Sequence, residues 1–416
     1  MSLRVGVLAA TCLPWHRPGG LERHVLQLCR WLRKREVAVD LYVSRPEYPV
    51  DPFHGDDGFR LSIVPGTPFL RRAPAVILSR NTLYPLFSLR MGRTVVDSAR
   101  ERGYGAVIAQ GLTGLGYAMF AGRIAAAPPL ILNPQGMEEA LTQNPWKHAA
   151  YAPFRALTRF AARRAAVVVA TDQVLEDTVI ALLRVPRSRV AVIPNAIDVA
   201  ECEALARTSE GVEARGRLSV GDASPLIVTV GRLAENKGFE VGMTALATIR
   251  SQIGKDWRWV VVGEGPRRVE LLREAARHGL DAQIRFVGRL SDREMHGLLA
   301  ACDLFLNPTL FEGSSLVTLE AMSHACAVVA TRAGGISDKI EEGVTGWLAE
   351  PGDADALAAA LLRWHGAEPA SKHEIRQNAA RRCRERFDWP ICVDRYLSVI
   401  SRLIAQPPAA AGAGRG

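Results

Sequence analysis

The feature that most constrains this chain is an alternation of short apolar runs with helix-patterned segments, played through twice. In the first half the runs are Leu3–Ala9, Val37–Val43, Ala106–Ala109, Leu130–Leu132, Val167–Ala170 and Val190–Ile193. Between the first two, Leu21, Val25, Leu28, Trp31 and Leu32 recur at helical spacing, so a helix is predicted from Gly19-Gly20 to about Lys34. Runs that are apolar throughout, rather than at every second residue, suit strands buried on both faces. Alternation with helices then calls for a mostly parallel sheet covered on each side. A second series follows: Leu226–Val230, Trp259–Val262, Ile284–Val287, Leu304–Leu306 and Val328–Ala330. The expected fold class is α/β, with two Rossmann-like, doubly wound parallel-sheet domains in tandem, and 416 residues is a natural length for two domains. The polar segment from about Glu201 to Ser224 is where the pattern breaks. It places the expected domains at residues 1–200 and 201–388, with an amphipathic helix at about 389–404 and a Pro/Ala/Gly-rich tail, 405–416, expected to be disordered.

Several function classes fit the residues poorly. The seven Cys are scattered, odd in number and without Cys-x-x-Cys spacing, and the nine His show no His-Glu-x-x-His pattern. They read as reduced core thiols of a cytoplasmic protein, with no metal site expected. No apolar stretch approaches the roughly 18 residues of a membrane span. The run at Leu3–Ala9 is read as a buried strand rather than a signal peptide, because the start carries only one Arg and the apolar run is soon ended by Pro14, Trp15 and His16. The net charge of +9 is unevenly placed: residues 1–200 hold 25 Lys and Arg against 15 Asp and Glu, and residues 201–416 hold 27 against 28. An anionic partner for the first half follows, such as a membrane surface or a phosphorylated lipid. Nucleic acid is not expected, for no recognisable nucleic-acid module is present.

Ligands of doubly wound sheets sit beyond the carboxyl ends of the strands. After Leu226–Val230 the chain reads Gly231-Arg232-Leu233-Ala234-Glu235-Asn236-Lys237-Gly238, which sets two cations where a diphosphate would fit. After Trp259–Val262 come Gly263-Glu264-Gly265-Pro266, and later Val287-Gly288-Arg289-Leu290. The most informative loop is Glu312-Gly313-Ser314-Ser315-Leu316-Val317-Thr318-Leu319-Glu320. Ser314 or Ser315 can cap a helix beginning near Leu316, and the helix start offers backbone N–H groups and partial positive charge to phosphate oxygens. Glu312 and Glu320, about 12 Å apart if the stretch is helical throughout, could hold the hydroxyls at two ends of an elongated ligand.

In order and spacing these segments resemble family 4 glycosyltransferases of the GT-B fold. Gly19-Gly20-Leu21-Glu22-Arg23, Ile193-Pro194-Asn195-Ala196-Ile197-Asp198, Ala333-Gly334-Gly335-Ile336 and Gly343-Val344-Thr345-Gly346 complete the pattern, which covers the chain to about residue 400. The resemblance implies two domains facing a cleft and a nucleotide-sugar donor as substrate, with no cofactor and no metal. It also implies retention at the anomeric carbon. It places Arg232 and Lys237 on the donor diphosphate and Glu320 on the ribose. Glu312 and the backbone of Gly313, Ser314, Ser315 and Leu316 would hold the transferred sugar. Gly263 and Glu264 would line the donor, Leu290 would border the base, and Gly20 would let the first-domain loop approach the phosphates. The catalytic set is then Arg232, Lys237 and Glu312, acting on the charge that grows as the sugar–phosphate bond breaks.

One position departs from the family. Asn133-Pro134-Gln135-Gly136-Met137-Glu138 carries Gln135 where many relatives have His. An amide can position a sugar but cannot transfer a proton. Gln135 and Gly136 are therefore expected on the sugar and acceptor side, and Glu138 or Glu139 is a further candidate. The acceptor, a glycan or lipid-linked molecule of polysaccharide or lipopolysaccharide synthesis, is expected on the basic first half. Candidate contacts are Arg71, Arg72, Arg80, Arg90 and Arg93, interleaved with Phe69, Leu70, Val76, Ile77, Leu83, Tyr84, Leu86 and Phe87, possible contacts with an inner membrane face. A packed amphipathic helix accounts for the same stretch equally well. Two other readings stay open: a nucleotide-sugar 2-epimerase of the same fold, and a non-catalytic nucleotide-sugar-binding subunit.

Overall fold

The computed structural model describes residues 3–16, 19–48, 58–66, 68, 75–135, 145–217, 225–254 and 256–405. The chain divides into two units, Met1–Pro194 with Trp389–Gly416, and Asn195–Asp388.

The first unit is built on seven strands: β1 (Arg4–Leu8), β2 (Ala38–Ser44), β3 (Arg60–Val64), β4 (Ala106–Gln110), β5 (Leu130–Asn133), β6 (Val167–Ala170) and β7 (Val190–Val192). Their order is β3-β2-β1-β4-β5-β6-β7, with every neighbouring pair parallel. The apolar runs become strands because helices cover both faces. Among these are α1 (Gly20–Lys34), α2 (Leu83–Arg102) and α3 (Gly114–Phe120). β3 carries no continuous apolar run; it lies at the sheet edge, paired to β2 alone, with Arg60 and Ile63 exposed. An edge strand needs less apolar surface, which is why its sequence did not announce it.

The last helix, Trp389–Ala405, belongs to this first unit. It lies along α1: the Trp389 ring meets the His24 ring at 5.3 Å, and Arg35 forms a two-pronged pair with Asp394 at 2.8 and 3.1 Å. Tyr396, also on this helix, accepts a hydrogen bond from Asn133 Nδ2 at the end of β5, at 3.4 Å. Ala405, expected in the tail, is still helical, and residues 406–416 lie outside the described residues.

The second unit contains β8 (Leu226–Val230), β9 (Arg258–Val262), β10 (Ile284–Gly288), β11 (Leu304–Asn307), β12 (Ala327–Thr331) and β13 (Trp347–Ala349). Their order is β10-β9-β8-β11-β12-β13, again parallel throughout. α4 (Val199–Ala206), α5 (Phe239–Ile249), α6 (Asp292–Ala301), α7 (Leu316–Ser323) and α8 (Ile336–Lys339) are among its helices. β13 is another short edge strand that apolar runs did not reveal.

The division falls at Pro194–Asn195, ahead of the expected residue 200. Ile197 N–H donates to the Phe387 carbonyl at 3.0 Å and Val199 N–H to Asp388 at 3.2 Å, which ties 195–200 into the second unit. The polar segment taken as a boundary begins as α4, capped by Asp198, whose carboxylate accepts from Glu201 N–H at 3.0 Å. Polarity over 201–206 reflects a surface helix rather than a linker. All seven Cys are buried and free, as their apolar context suggested. Cys302 and Cys326, on the leads into β11 and β12, lie 2.7 Å apart at sulfur; burial pushes the Cys302 thiol pKa up.

Candidate functional site

In the second sheet the strand order reverses between β8 and β11, and the loops that leave these two strands form the switch point where doubly wound folds bind ligands. The loop after β8 carries Arg232 and Lys237; the loop after β11 carries Glu312 to Ser315. The two are stitched together. The Asn236 carbonyl accepts from Leu310 N–H at 2.8 Å and from Thr309 Oγ1 at 2.7 Å, while Asn236 Nδ2 donates to the Phe311 carbonyl at 3.2 Å. Lys237 and Glu312 form an ion pair across the junction, each side chain 19% exposed. Arg232 stands exposed at the end of β8.

Glu312 is held from behind by the turn after β12. Gly335 N–H donates to the Gly313 carbonyl at 3.0 Å, and Gly334 has φ of 52°, with its missing Cβ aimed to within 1.8 Å of the Glu312 carbonyl oxygen. Only glycine fits there. Gly263, after β9, is similar: its φ is 136° and a Cβ would meet the Gly231 carbonyl at 1.9 Å. Its N–H donates to the Gly288 carbonyl at 2.7 Å, and the Glu264 carbonyl accepts from Leu233 N–H at 3.0 Å, so the β8, β9 and β10 loops continue the sheet's hydrogen bonding. Leu290 is half-buried against the core below these loops.

Ser315 is the N-cap of α7, but its side chain does not cap. Its hydroxyl instead accepts from Thr318 Oγ1 at 2.9 Å and from Asn307 Nδ2 at 3.3 Å, both buried. The cap residue therefore supplies no side-chain acceptor to the first-turn N–H groups, the condition under which a helix start takes an anion. Because α7 begins only at Leu316, the stretch from Glu312 to Glu320 is not helical throughout, and the separation of about 12 Å expected on that premise does not apply. Glu320 is buried, 5% exposed.

Arg232, Lys237, Gly263, Glu264, Leu290, Glu312, Gly313, Ser314, Ser315, Leu316 and Glu320 all belong to the second unit, while Gly20 and Gln135 belong to the first. Gly20 is the exposed first residue of α1. Gln135 follows β5 in a left-handed conformation, φ 61°, its N–H bonded to Asn133 Oδ1 at 2.9 Å and its side-chain amide donating to Gln110 Oε1 at the end of β4. Gly136, Glu138, Glu139, Arg71, Arg72, Phe69 and Leu70 lie outside the described residues. Of the proposed membrane contacts, Tyr84 and Phe87 are buried in the first unit's core, because α2 turns them inward at helical spacing. Leu86 is 55% exposed and Arg90 and Arg93 are exposed too, as is Leu78, at 63%, which was not among those contacts.

One residue the motifs did not single out is bonded to the loop after β11. Lys339 ends α8, fully buried, and donates to Ser314 Oγ at 3.0 Å and to the Gly335 carbonyl at 3.1 Å. Its position three residues beyond Gly334-Gly335-Ile336 was its only signal.

A profile of the family described as Glycosyl transferases group 1 matches residues 224–366, and one described as Glycosyl transferase 4-like domain matches residues 19–196. The chain is a family 4, group 1 glycosyltransferase. It is 28% identical over 325 residues to a 2-deoxystreptamine glucosyltransferase of Streptomyces kanamyceticus, 72% of this chain and 82% of that protein. Its fold is similar to that of Anabaena Alr3699/HepE in complex with UDP and glucose, at a TM-score of 0.73, 23% identity, and coverage of 96% and 100%. The lipopolysaccharide outer core galactosyltransferase WaaB matches at a TM-score of 0.68, 14% identity, and coverage of 96% and 99%. These likenesses give the GT-B fold.

Proposed function

We propose that this glycosyltransferase takes a sugar from a nucleoside diphosphate donor held on the β8 and β11 loops. It passes the sugar to a glycan or lipid-linked acceptor of polysaccharide or lipopolysaccharide synthesis, without a metal and with retention at the anomeric carbon. The observation that carries the reading is the junction of the two switch-point loops, where Lys237 meets Glu312 shortly before the α7 start, with Arg232 exposed on the same β8 loop. UDP and glucose bound to Alr3699/HepE support the donor class, and WaaB supports the acceptor class.

As the sugar–phosphate bond breaks, charge grows on the departing phosphate. Arg232, Lys237 and the first-turn N–H groups of α7 stabilise it without reorganising, often the largest single catalytic contribution. Before donor binding Lys237 is paired with Glu312. A diphosphate gives Lys237 a stronger partner and releases Glu312, an acceptor only, to the hydroxyls of the sugar. Gln135 positions rather than ionises, and the departing phosphate takes the acceptor's proton. Among the described residues no helix is long and apolar enough to cross a membrane. The acceptor is reached from the first unit, whose exposed Leu78, Leu86, Arg90 and Arg93 suit an anionic membrane surface.

A thermal-shift panel of UDP, GDP, ADP and their sugars, with and without EDTA, tests the donor reading. One nucleotide should raise Tm, more at higher ligand concentration, and the shift should be unchanged by EDTA. No shift with any of them would refute it. Donor incubated without acceptor should return unchanged; conversion to an epimer would instead mark a 2-epimerase.

A further inference from the structure

We propose that Thr309 is a positioning residue of the candidate donor site: its buried hydroxyl ties the loop after β11 to the loop after β8 and so sets Lys237 against Glu312. The inference rests on the donor reading above and adds to it a residue that acts through the ion pair.

Thr309 lies just beyond the end of β11 and is fully buried. Two carbonyl oxygens are within reach of its hydroxyl, that of Asn236 at 2.7 Å and that of Phe311 at 3.1 Å. They belong to the residues immediately before Lys237 and Glu312, the two partners of the ion pair. One side chain thus meets both loops a single residue short of the charged groups. The Asn236 carbonyl also accepts from Leu310 N–H at 2.8 Å and Phe311 N–H at 3.3 Å, and Asn236 Nδ2 returns a bond to the Phe311 carbonyl at 3.2 Å. Thr309 is fixed from its other side as well. Its own carbonyl accepts from Thr331 Oγ1 at the end of β12, and Thr331 is also fully buried.

A valine has nearly the same shape and would fill this place without burying a hydroxyl, which is unfavourable unless it is bonded. What the hydroxyl adds is direction. Lys237 and Glu312 carry flexible side chains, so where their charges meet depends on where the two backbones are held. Asn236 is exposed, and its amide bond to Phe311 competes with water. Thr309 is out of solvent, where a hydrogen bond is electrostatically stronger. Its hydroxyl keeps the two loops in register at the point from which both charged residues depart.

Titration calorimetry with UDP, GDP and ADP first identifies the nucleotide that the wild type binds. Thr309→Val keeps the shape of the side chain and removes its hydroxyl, and the Kd of that nucleotide should rise about fivefold. Thr309→Ser keeps the hydroxyl and gives up a buried methyl group. It should lower Tm, yet bind the nucleotide within about twofold of the wild type. A structural role alone would make affinity follow Tm across the two variants; a positioning role makes it follow the hydroxyl. A folded Thr309→Val that binds within about twofold of the wild type, or a Thr309→Ser weakened as much as Thr309→Val, overturns the proposal and leaves the donor reading standing. A wild type that binds none of the three nucleotides removes both. Should Thr309→Val fail to fold, Thr309→Ala takes its place: it should bind at least about threefold more weakly than Thr309→Ser, and equal affinity in the two overturns the proposal.

Discussion

At the scale of single residues, the candidate site combines cations, the proposed partners of phosphates, with glycines that let backbones touch. Arg232→Ala and Lys237→Ala should each lower kcat/KM by about 10²–10³ with the fold intact, as expected for one lost stabilising donor. Steady-state kinetics decide it, and a variant that keeps most of its activity does not belong to the site. Gly334→Ala puts a methyl group against the Glu312 carbonyl and should destabilise the protein by roughly 2–4 kcal/mol, read as a fall in Tm. A titration effect is also legible at this scale. His24 is fully buried against Trp389, and burial lowers its pKa from 6.5 to about 4; burial likewise lowers that of His324 to about 4. Between these values the unfolded chain binds the protons that the folded chain refuses, so stability falls as pH drops through the window from 6.5 to 4. The urea midpoint should drop across that range, and His24→Leu should flatten the slope.

Among the elements, the last helix shows how sequence position and spatial membership part company. It follows the second unit in the chain but completes the first, where it covers α1. Trp389→Ala should cost about 3–5 kcal/mol in urea unfolding, the usual toll for a buried aromatic. Asp394→Ala removes only a surface pair, two-pronged though it is, and should cost less than about 1 kcal/mol. If the two variants were equally damaging, the helix would be held by charge and not by packing. The strands follow a comparable logic. β6 and β8 match their apolar runs end to end because buried parallel strands need apolar side chains on both faces. β3 and β13 escaped notice because an edge strand is recognised by its neighbour, through backbone bonds that any sequence can make.

For the whole molecule, charge and exposure point the same way. The excess of Lys and Arg lies in residues 1–200, and the described part of the first unit leaves Leu78 and Leu86 exposed with Arg90 and Arg93 also outside. Co-sedimentation with anionic liposomes should be seen at low salt and lost near 1 M salt, where screening shortens to about 3 Å. No sedimentation at low salt would sink the membrane proposal and leave the donor site untouched.

The α/β architecture, the doubling of the sheet and the loops of the candidate site could be read from the chain alone, because apolar periodicity and glycine turns are local properties. Arg232, Lys237 and Glu312 were legible as candidates because each lies in a loop after a strand, and Glu320, inside α7, only as the second carboxylate of the motif. The folded chain was needed to show that the break falls at Pro194–Asn195, that Lys237 pairs with Glu312, and that Ser315 turns its hydroxyl inward. It alone brought Lys339 beneath Ser314. These are contacts between segments distant in the chain, and no periodicity records which buried group meets which.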